Sequence, residues 1–499
     1  MRSRRPEFRA VHRPPDRRPT ESDLRAALRR EPREPRLLQA LARTLLQRKN
    51  AAGAIPLLEE VVSLAPMIGV YHEDLARAYQ EVHELDCAES EYLLAVRFDP
   101  KLHASMNRVG LIRLNRGDAA GALKHFLAAV NAHPPNPEAL VNAAVAFNRL
   151  GDHERSIECS RLVLEQNPGD PRASTNAGMA YRAMGRREEA RQAFLADASF
   201  PLARFNLGYL YLQEGDLARG LPLLEVRREL LSIGSGLRKP AWTGGARPGK
   251  TLLVIHEQGL GDTILMSRFF PMLLPLFERV VFLVQKPLAR LLSDAEPNLQ
   301  FVTGLEGLAY DYWCPTMSLP LLLGIGSVED IPRRPWLRVS ALHAPGERPR
   351  VGINWGGNPQ FAYDAVRSTH LEQLSLLLKV RDVEWVSLHK GHLEGEAEAF
   401  GLAQPLRDAG DFRDTAAVLK GLDLVISTET AVPNLSAAMG VPTCVLTTPD
   451  PDWRWSSWYA GVTICPQAVP GNWYGAVVVA LEAVSRTIRS FQTAFPSAA

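Results

Sequence analysis

Two short stretches of this 499-residue chain put glycine, hydroxyl and acidic side chains where a strand gives way to a helix. The first is Gln258-Gly259-Leu260-Gly261-Asp262-Thr263, after the β-branched run TLLVIHE (251–257). The second is Ser427-Thr428-Glu429-Thr430-Ala431, between LDLVIST (422–428) and a helical segment that ends NLSAAMG. Free N–H groups and the positive dipole end make a helix start a ready site for an anion. Gly259 and Gly261 admit close backbone approach, although a Gly-x-Gly followed by Asp262 also suits a plain tight turn with a capping acid. Lys390 follows VEWVSLH (383–389), at the carboxyl end of a strand, where ligands collect in open α/β sheets. His256 adds a titratable group just before the glycine turn, either as a base or as a satisfied strand-end histidine.

The elements that must hold these residues alternate. TLLVIHE, VVFLVQ (280–285) and LQFVTG (299–304) read as strands; ILMSRFFPMLLPLF and PLARLLSD between them read as helices. A second series runs RVGINWGG (350–357), VEWVSLH, LDLVIST and PTCVLTT (442–448). Strand–helix alternation implies parallel sheets with right-handed crossovers, and two series imply two Rossmann-like lobes with a cleft between them. We assign the lobes to 251–340 and 341–499, the latter closing with a helix over 473–491 that is expected to cross back to the first lobe. The Gly-, Pro- and Arg-rich stretch 231–250 reads as a linker.

Ahead of the linker the pattern is different. Pro32, Pro66, Pro100, Pro134 and Pro168 stand 34 residues apart, the period of a tetratricopeptide helix–turn–helix. Ala42, Ala76, Gly110, Ala144 and Gly178 keep the same step, as do Ala54, Ala88, Ala122, Ser156 and Ala190, where close helix packing needs small side chains. The step shortens to 30 between Gly178 and Gly208. About six hairpins over 20–230 are expected, stacked as an α-solenoid whose groove would hold a peptide or partner protein; a rigid spacer or dimer platform is the other reading.

Composition narrows the options. The net charge is +2, but residues 1–20 hold seven arginines against Glu7 and Asp16. The tail 1–19 is therefore expected to be basic and disordered, and the body has no basic excess to support nucleic-acid binding. No apolar run of membrane-spanning length occurs, and no apolar segment follows the first arginines as in a secretory signal. The five cysteines form no C-x-x-C pair and read as buried or free thiols of a cytoplasmic protein.

Six linked segments resemble the heptosyltransferase-like domain, a family 9 glycosyltransferase, found behind tetratricopeptide repeats in bacteria. They are HEQGLGDTI (256–264), VGINWGGNP (351–359), Asp364 with Arg367-Ser368, WVSLHKG (385–391), DLVISTETAVPNLSAAMG (423–440) and VPTCVLTTPDPDWRWSSWY (441–459). The resemblance implies a GT-B fold and a nucleotide-sugar donor held mainly by the second lobe, with no metal and no other cofactor. It implies that Asp262 is the catalytic base and that Arg367 contacts the donor phosphates. Lys390 would join it, and the donor site would include Gly259, Gly261, Glu429, Thr430, Ala431 and Asn434. The chain departs from the family at Glu429, where Asp is usual, and at Asn434, where His is usual. Those departures point to an altered donor or acceptor, or to a catalytically degenerate scaffold that works through its repeats. Asp450-Pro451-Asp452 has the form of a D-x-D metal motif, but its place in a GT-B-like segment argues against that role. Trp453, Trp455 and Trp458 would stack on a base or sugar, or pack the cleft edge.

Overall fold

The computed structural model describes residues 19–131, 137–341, 346–361 and 364–494. The Arg-rich tail up to residue 18 and Pro134 of the proline register lie outside them. Two compact units divide between Ala193 and Phe194, inside the shortened step.

The first unit is helical. Pro35–Gln47 packs with Ala51–Leu64, Gly69–Glu81 with Leu85–Phe98, His103–Asn115 with Ala119–Val130, and Pro137–Leu150 with His153–Gln166. Pro171–Ala183 and Arg187–Leu195 continue the series. The small-residue columns are where the helices meet: Ala54, Ala88, Ala122, Ser156 and Ala190 have no exposed surface, and a Cβ on Gly110 would come within 2.4 Å of the Phe126 ring. The turn inside each hairpin needs a left-handed backbone. Gly117, Gly151 and Gly185 supply it at φ 87°, 79° and 74°, and Lys49 and His83 occupy the same register at φ 59° and 64°. Where the next residue is Asn or Asp it caps the second helix: Asn50 accepts from the Gly53 N–H at 3.0 Å, Asp118 from the Gly121 N–H at 2.7 Å, and Asp152 from the Arg155 N–H at 3.2 Å.

The second unit opens with the helices Pro201–Gln213 and Leu217–Leu224, followed by two parallel sheets. The first sheet comprises β1 (Arg247–Ile255), β2 (Phe277–Leu283), β3 (Gln300–Val302) and β4 (Tyr312–Pro315) in the order β3-β2-β1-β4. The second comprises β5 (Arg350–Asn354), β6 (Glu384–Ser387), β7 (Leu424–Thr428), β8 (Thr443–Thr447) and β9 (Val462–Pro466) in the order β6-β5-β7-β8-β9. Strand order reverses at β1/β4 and at β5/β7, the switch points where open sheets leave a crevice. One apolar core runs through both sheets and takes in Leu212, Leu217 and Leu221 of the last helices and Trp242 of the stretch 231–250. Arg227, 3% exposed, links these helices to β1: its Nε and Nη2 donate to both carboxylate oxygens of buried Glu257 at 3.0 and 2.8 Å.

Two local expectations are corrected, and two strands are added. The helix after the glycine turn ends at Met266 and continues as a 3₁₀ stretch, Ser267–Leu273, which contains Pro271; proline has no N–H to continue the α-helical ladder. Strands β4 and β9, which are short, Pro-ended and on sheet edges, were not expected. The terminal helix Tyr474–Ala494 does not cross back. Its Ala476, Val477, Ala480 and Val484 join the core of the second sheet, with Ile353, Ile426 and Leu446.

Candidate functional site

A cavity of about 1690 Å³ lies over the carboxyl ends of β1, β5, β6 and β7, and all nine residues named above as base or donor contacts line it. His256 is not among the lining residues.

Gln258 turns the chain out of the strand in a left-handed conformation at φ 62°. The helix Leu260–Met266 follows, and Asp262 serves its start: Oδ2 accepts from the Gly259 N–H at 3.1 Å. This seven-residue helix thus carries at its N-terminus an anion of its own, which offsets the positive end of its dipole. Gly261 has a different task from Gly259. A Cβ on Gly261 would stand 2.9 Å from Asn434 Nδ2 and 3.4 Å from Ala431 Cα, so this glycine lets the starts of two helices touch. A Cβ on Gly259 would meet only Asp262 Oδ2, at 3.4 Å.

The second turn is built on the helix Ala431–Ala438 with Thr430 as its cap; Thr430 Oγ1 accepts from the Val432 N–H at 3.3 Å. Asn354, at the end of β5, donates from Nδ2 to Ser427 Oγ at 3.1 Å and to Thr430 Oγ1 at 3.2 Å. Asn434 donates to the Thr430 carbonyl at 2.9 Å and accepts from the Tyr459 hydroxyl at 2.7 Å. Glu429 Oε1 accepts from Trp455 Nε1 at 2.9 Å. Burial, and then the nearby charge of Asp452, push the Glu429 carboxyl above its ordinary range.

Arg367 meets this turn. Its Nη1 donates to the Glu429 carbonyl at 2.9 Å, its Nε to Asp364 at 3.0 Å, and its guanidinium lies 4.4 Å from the centre of the Phe361 ring. Lys390 is exposed and donates to the Ala409 carbonyl. Beside it, His389 donates from Nδ1 to Asn354 Oδ1 and accepts at Nε2 from the Leu393 N–H, both at 3.3 Å. That tautomer is neutral, and burial and the adjacent His392 lower the His389 pKa.

No role was assigned from the sequence to Arg454. This guanidinium donates from Nη1 to Asp262 Oδ1 at 3.0 Å, and from Nε and Nη2 to the two oxygens of Asp452 at 2.9 and 2.6 Å. Burial acts against its charge, but Asp452 and Asp262 outweigh it and raise its pKa well above the usual arginine value. Burial likewise raises Asp452, and Arg454 more than reverses the effect. The D-x-D pair is thereby accounted for by protein partners, since Asp450 accepts from Gln213 Nε2 at 3.0 Å. The available signal for Arg454 was an acid two positions ahead of a base in the segment DPDWRW, masked by its tryptophans. Those rings pack: Trp455 stacks on Tyr459 at 5.2 Å, and Trp458 sits edge-on to Phe269 and Trp453 at 5.8 and 5.3 Å.

Among the described residues no helix is long and apolar enough to cross a membrane, and all five cysteines are free thiols. The Tetratricopeptide repeat family model matches residues 21–66, 109–171 and 175–226, so the chain carries these repeats, which imply protein–protein interaction. Protein FlbA of Caulobacter vibrioides is 25% identical over 417 residues, covering 75% of this chain and 65% of that protein; the chain thus spans about two thirds of its relative's length. A tetratricopeptide repeat protein from Parabacteroides merdae is 17% identical, covering 43% of this chain and 85% of the other, with a TM-score of 0.36. PilF of Pseudomonas aeruginosa is 18% identical, covering 43% and 94%, with a TM-score of 0.34.

Proposed function

We propose that the sheet-containing unit is a GT-B glycosyltransferase that takes a nucleotide-diphosphate sugar into the cleft, while the repeats bind a protein that is its acceptor or recruits it. The observation behind this reading is the convergence of Asp262, Arg367, Lys390 and the Glu429–Asn434 turn on one cavity at the ends of four parallel strands. Glycosyl transfer needs a base for the acceptor hydroxyl and cations for the departing diphosphate. Asp262 takes the proton of the acceptor hydroxyl. Arg367 and Lys390 offset the charge that grows on the diphosphate, and the Thr430 and Ala431 N–H groups open the helix that faces it. The sugar's bond to phosphate breaks with its electron pair passing to the diphosphate as the acceptor oxygen bonds to the sugar.

A second reading is favoured by the protein partners of Asp262, Glu429 and Asn434. In it these side chains serve internal hydrogen bonds only, and the protein is a scaffold acting through its repeats.

Calorimetric titration of the full chain with ADP, UDP and GDP separates the two. The donor reading expects one of them to bind, with affinity falling at least tenfold in Lys390→Ala, whose exposed side chain leaves the fold intact, and in Arg367→Ala. Absence of binding by all three nucleotides overturns the donor reading and leaves the scaffold.

A further inference from the structure

The cleft contains a cation whose partners are unequal. Arg454 lines the cavity with 18% of its side chain exposed. Asp452 holds it with two side-chain bonds, at 2.9 and 2.6 Å, and also accepts the Arg454 backbone N–H at 2.9 Å. Asp262 holds it with one, at 3.0 Å. Asp452 and Arg454 are two residues apart, at the start of the short helix Arg454–Ser457, whereas Asp262 comes from the start of a helix 192 positions away. The side that can let go is therefore Asp262, which keeps the Gly259 N–H as its other partner.

Resting on the donor reading above, we propose that Arg454 is a diphosphate contact of this cleft and that Asp262 is its displaceable stand-in, released when the diphosphate arrives. A guanidinium pairs as readily with phosphate oxygens as with a carboxylate, and bidentate pairs are the stronger ones. Two carboxylates on one guanidinium leave the trio net negative. A diphosphate entering beside it would be repelled unless the loosely held acid moves away. Donor binding thereby frees Asp262 Oδ1 to accept the acceptor's proton, and once neutral Asp262 no longer competes for Arg454 while the leaving diphosphate gains charge. The base is thus withheld until the donor is present. Asp452 is a positioning residue that keeps Arg454 at the cavity wall.

The test is the affinity of the full chain for ADP, UDP, GDP and inorganic pyrophosphate in wild type, Asp262→Asn, Arg454→Gln, Arg454→Lys and the Asp262→Asn/Arg454→Gln double variant. Asp262→Asn is expected to bind the preferred diphosphate about tenfold tighter, because the competing charge is gone. Arg454→Gln is expected to weaken it about tenfold and to abolish the gain from Asp262→Asn, and Arg454→Lys, which keeps the cation and is the control for folding, to restore part of the affinity. Unchanged or weaker binding in Asp262→Asn, or a gain that survives in the double variant, overturns the inference while the donor reading stands. Absence of diphosphate binding in every protein overturns both.

Discussion

The repeats and the cleft solve the same problem, satisfying buried polar groups, at different ranges along the chain. In the repeats the partner stands about one period away. Asp74, 1% exposed, takes Gln39 and Arg43 at separations of 35 and 31 residues. Asn142 reaches Asn107, and Asn176 the Val141 carbonyl, each 35 positions back. In the cleft the partners are 62 residues apart for Arg367 and the Glu429 carbonyl, and 192 for Arg454 and Asp262. A periodic contact is fixed by its neighbour repeat, so its energy is nearly local. A cleft contact joins segments far apart along the chain, and Glu429, Asp452 and Arg454 share partners, so they form one network and their substitutions do not add.

The largest effect that would sharpen this contrast is at Arg227. Removing it leaves Glu257, 6% exposed, without its guanidinium. An uncompensated buried charge of this kind costs about 3–5 kcal/mol. Arg227→Met should lower the unfolding free energy of the sheet-containing unit, read from urea denaturation, by that amount, and Arg227→Met with Glu257→Met should recover much of it. A loss no greater than that of an exposed arginine such as Arg161 would show that the junction is not an energetic part of the unit.

Gly261 comes next. Asn434 is held at both ends, so it cannot yield to a Cβ at 2.9 Å. Gly261→Ala should cost about 1–3 kcal/mol as overpacking. Gly259→Ala, whose nearest neighbour would be at 3.4 Å, should cost less than about 1 kcal/mol. Equal losses would mean that the two glycines act only through turn conformation.

How far the chain could be read follows the same division. The 34-residue columns fixed the hairpins, because a small residue repeated at one spacing has a single physical cause, close helix approach. Seven strands were legible from β-branched runs. The strands β4 and β9 were not read: both are edge strands that close on proline, which weighs against a strand even where Val462, Thr463 and Ile464 are β-branched. The candidate residues gathered on one cavity because strand ends are readable. Their partners were unreadable, because nothing local in Asp262 announces Arg454. The same ambiguity hid the close approach of Gly261 to Asn434 and Ala431.

Glu429 offers a pH test within the cleft. Its folded pKa is raised, so its favourable contribution is complete below the unfolded carboxyl value of about 4.3. It is lost as pH climbs through the raised folded value. Glu429→Gln keeps an oxygen for Trp455 Nε1 and removes the charge. The variant should be more stable than wild type at pH 7, by on the order of 1 kcal/mol, and equal to it near pH 3. Thermal melts across that range would check it, and a variant destabilised at pH 7 would show that the charge itself is needed by the network. Asp452 has the opposite sign: its lowered pKa contributes stability above the unfolded carboxyl range that is lost as pH falls through its folded value.

The smallest effect belongs to the repeats and tests whether their energies are as local as their contacts. Lys49 and His83 occupy the turn position that glycine fills at Gly117, Gly151 and Gly185, with φ of 59° and 64°. A side chain in that conformation costs about 1–2 kcal/mol, because the Cβ crowds the following carbonyl. Glycine removes the strain but loses more freedom on folding, at a cost of about 0.5–1 kcal/mol. His83→Gly and Lys49→Gly should therefore each stabilise the first unit by a little under 1 kcal/mol, and the double substitution should give their sum, since the turns are one repeat apart and share no partner. Gly151→Ala should do the reverse by a similar amount. Hydrogen exchange of the flanking helices would show the change confined to the substituted hairpin and its neighbours. A gain spread evenly over all the repeats would instead mean that the helices unfold as one cooperative block, and the contrast with the cleft would then be one of sequence distance alone.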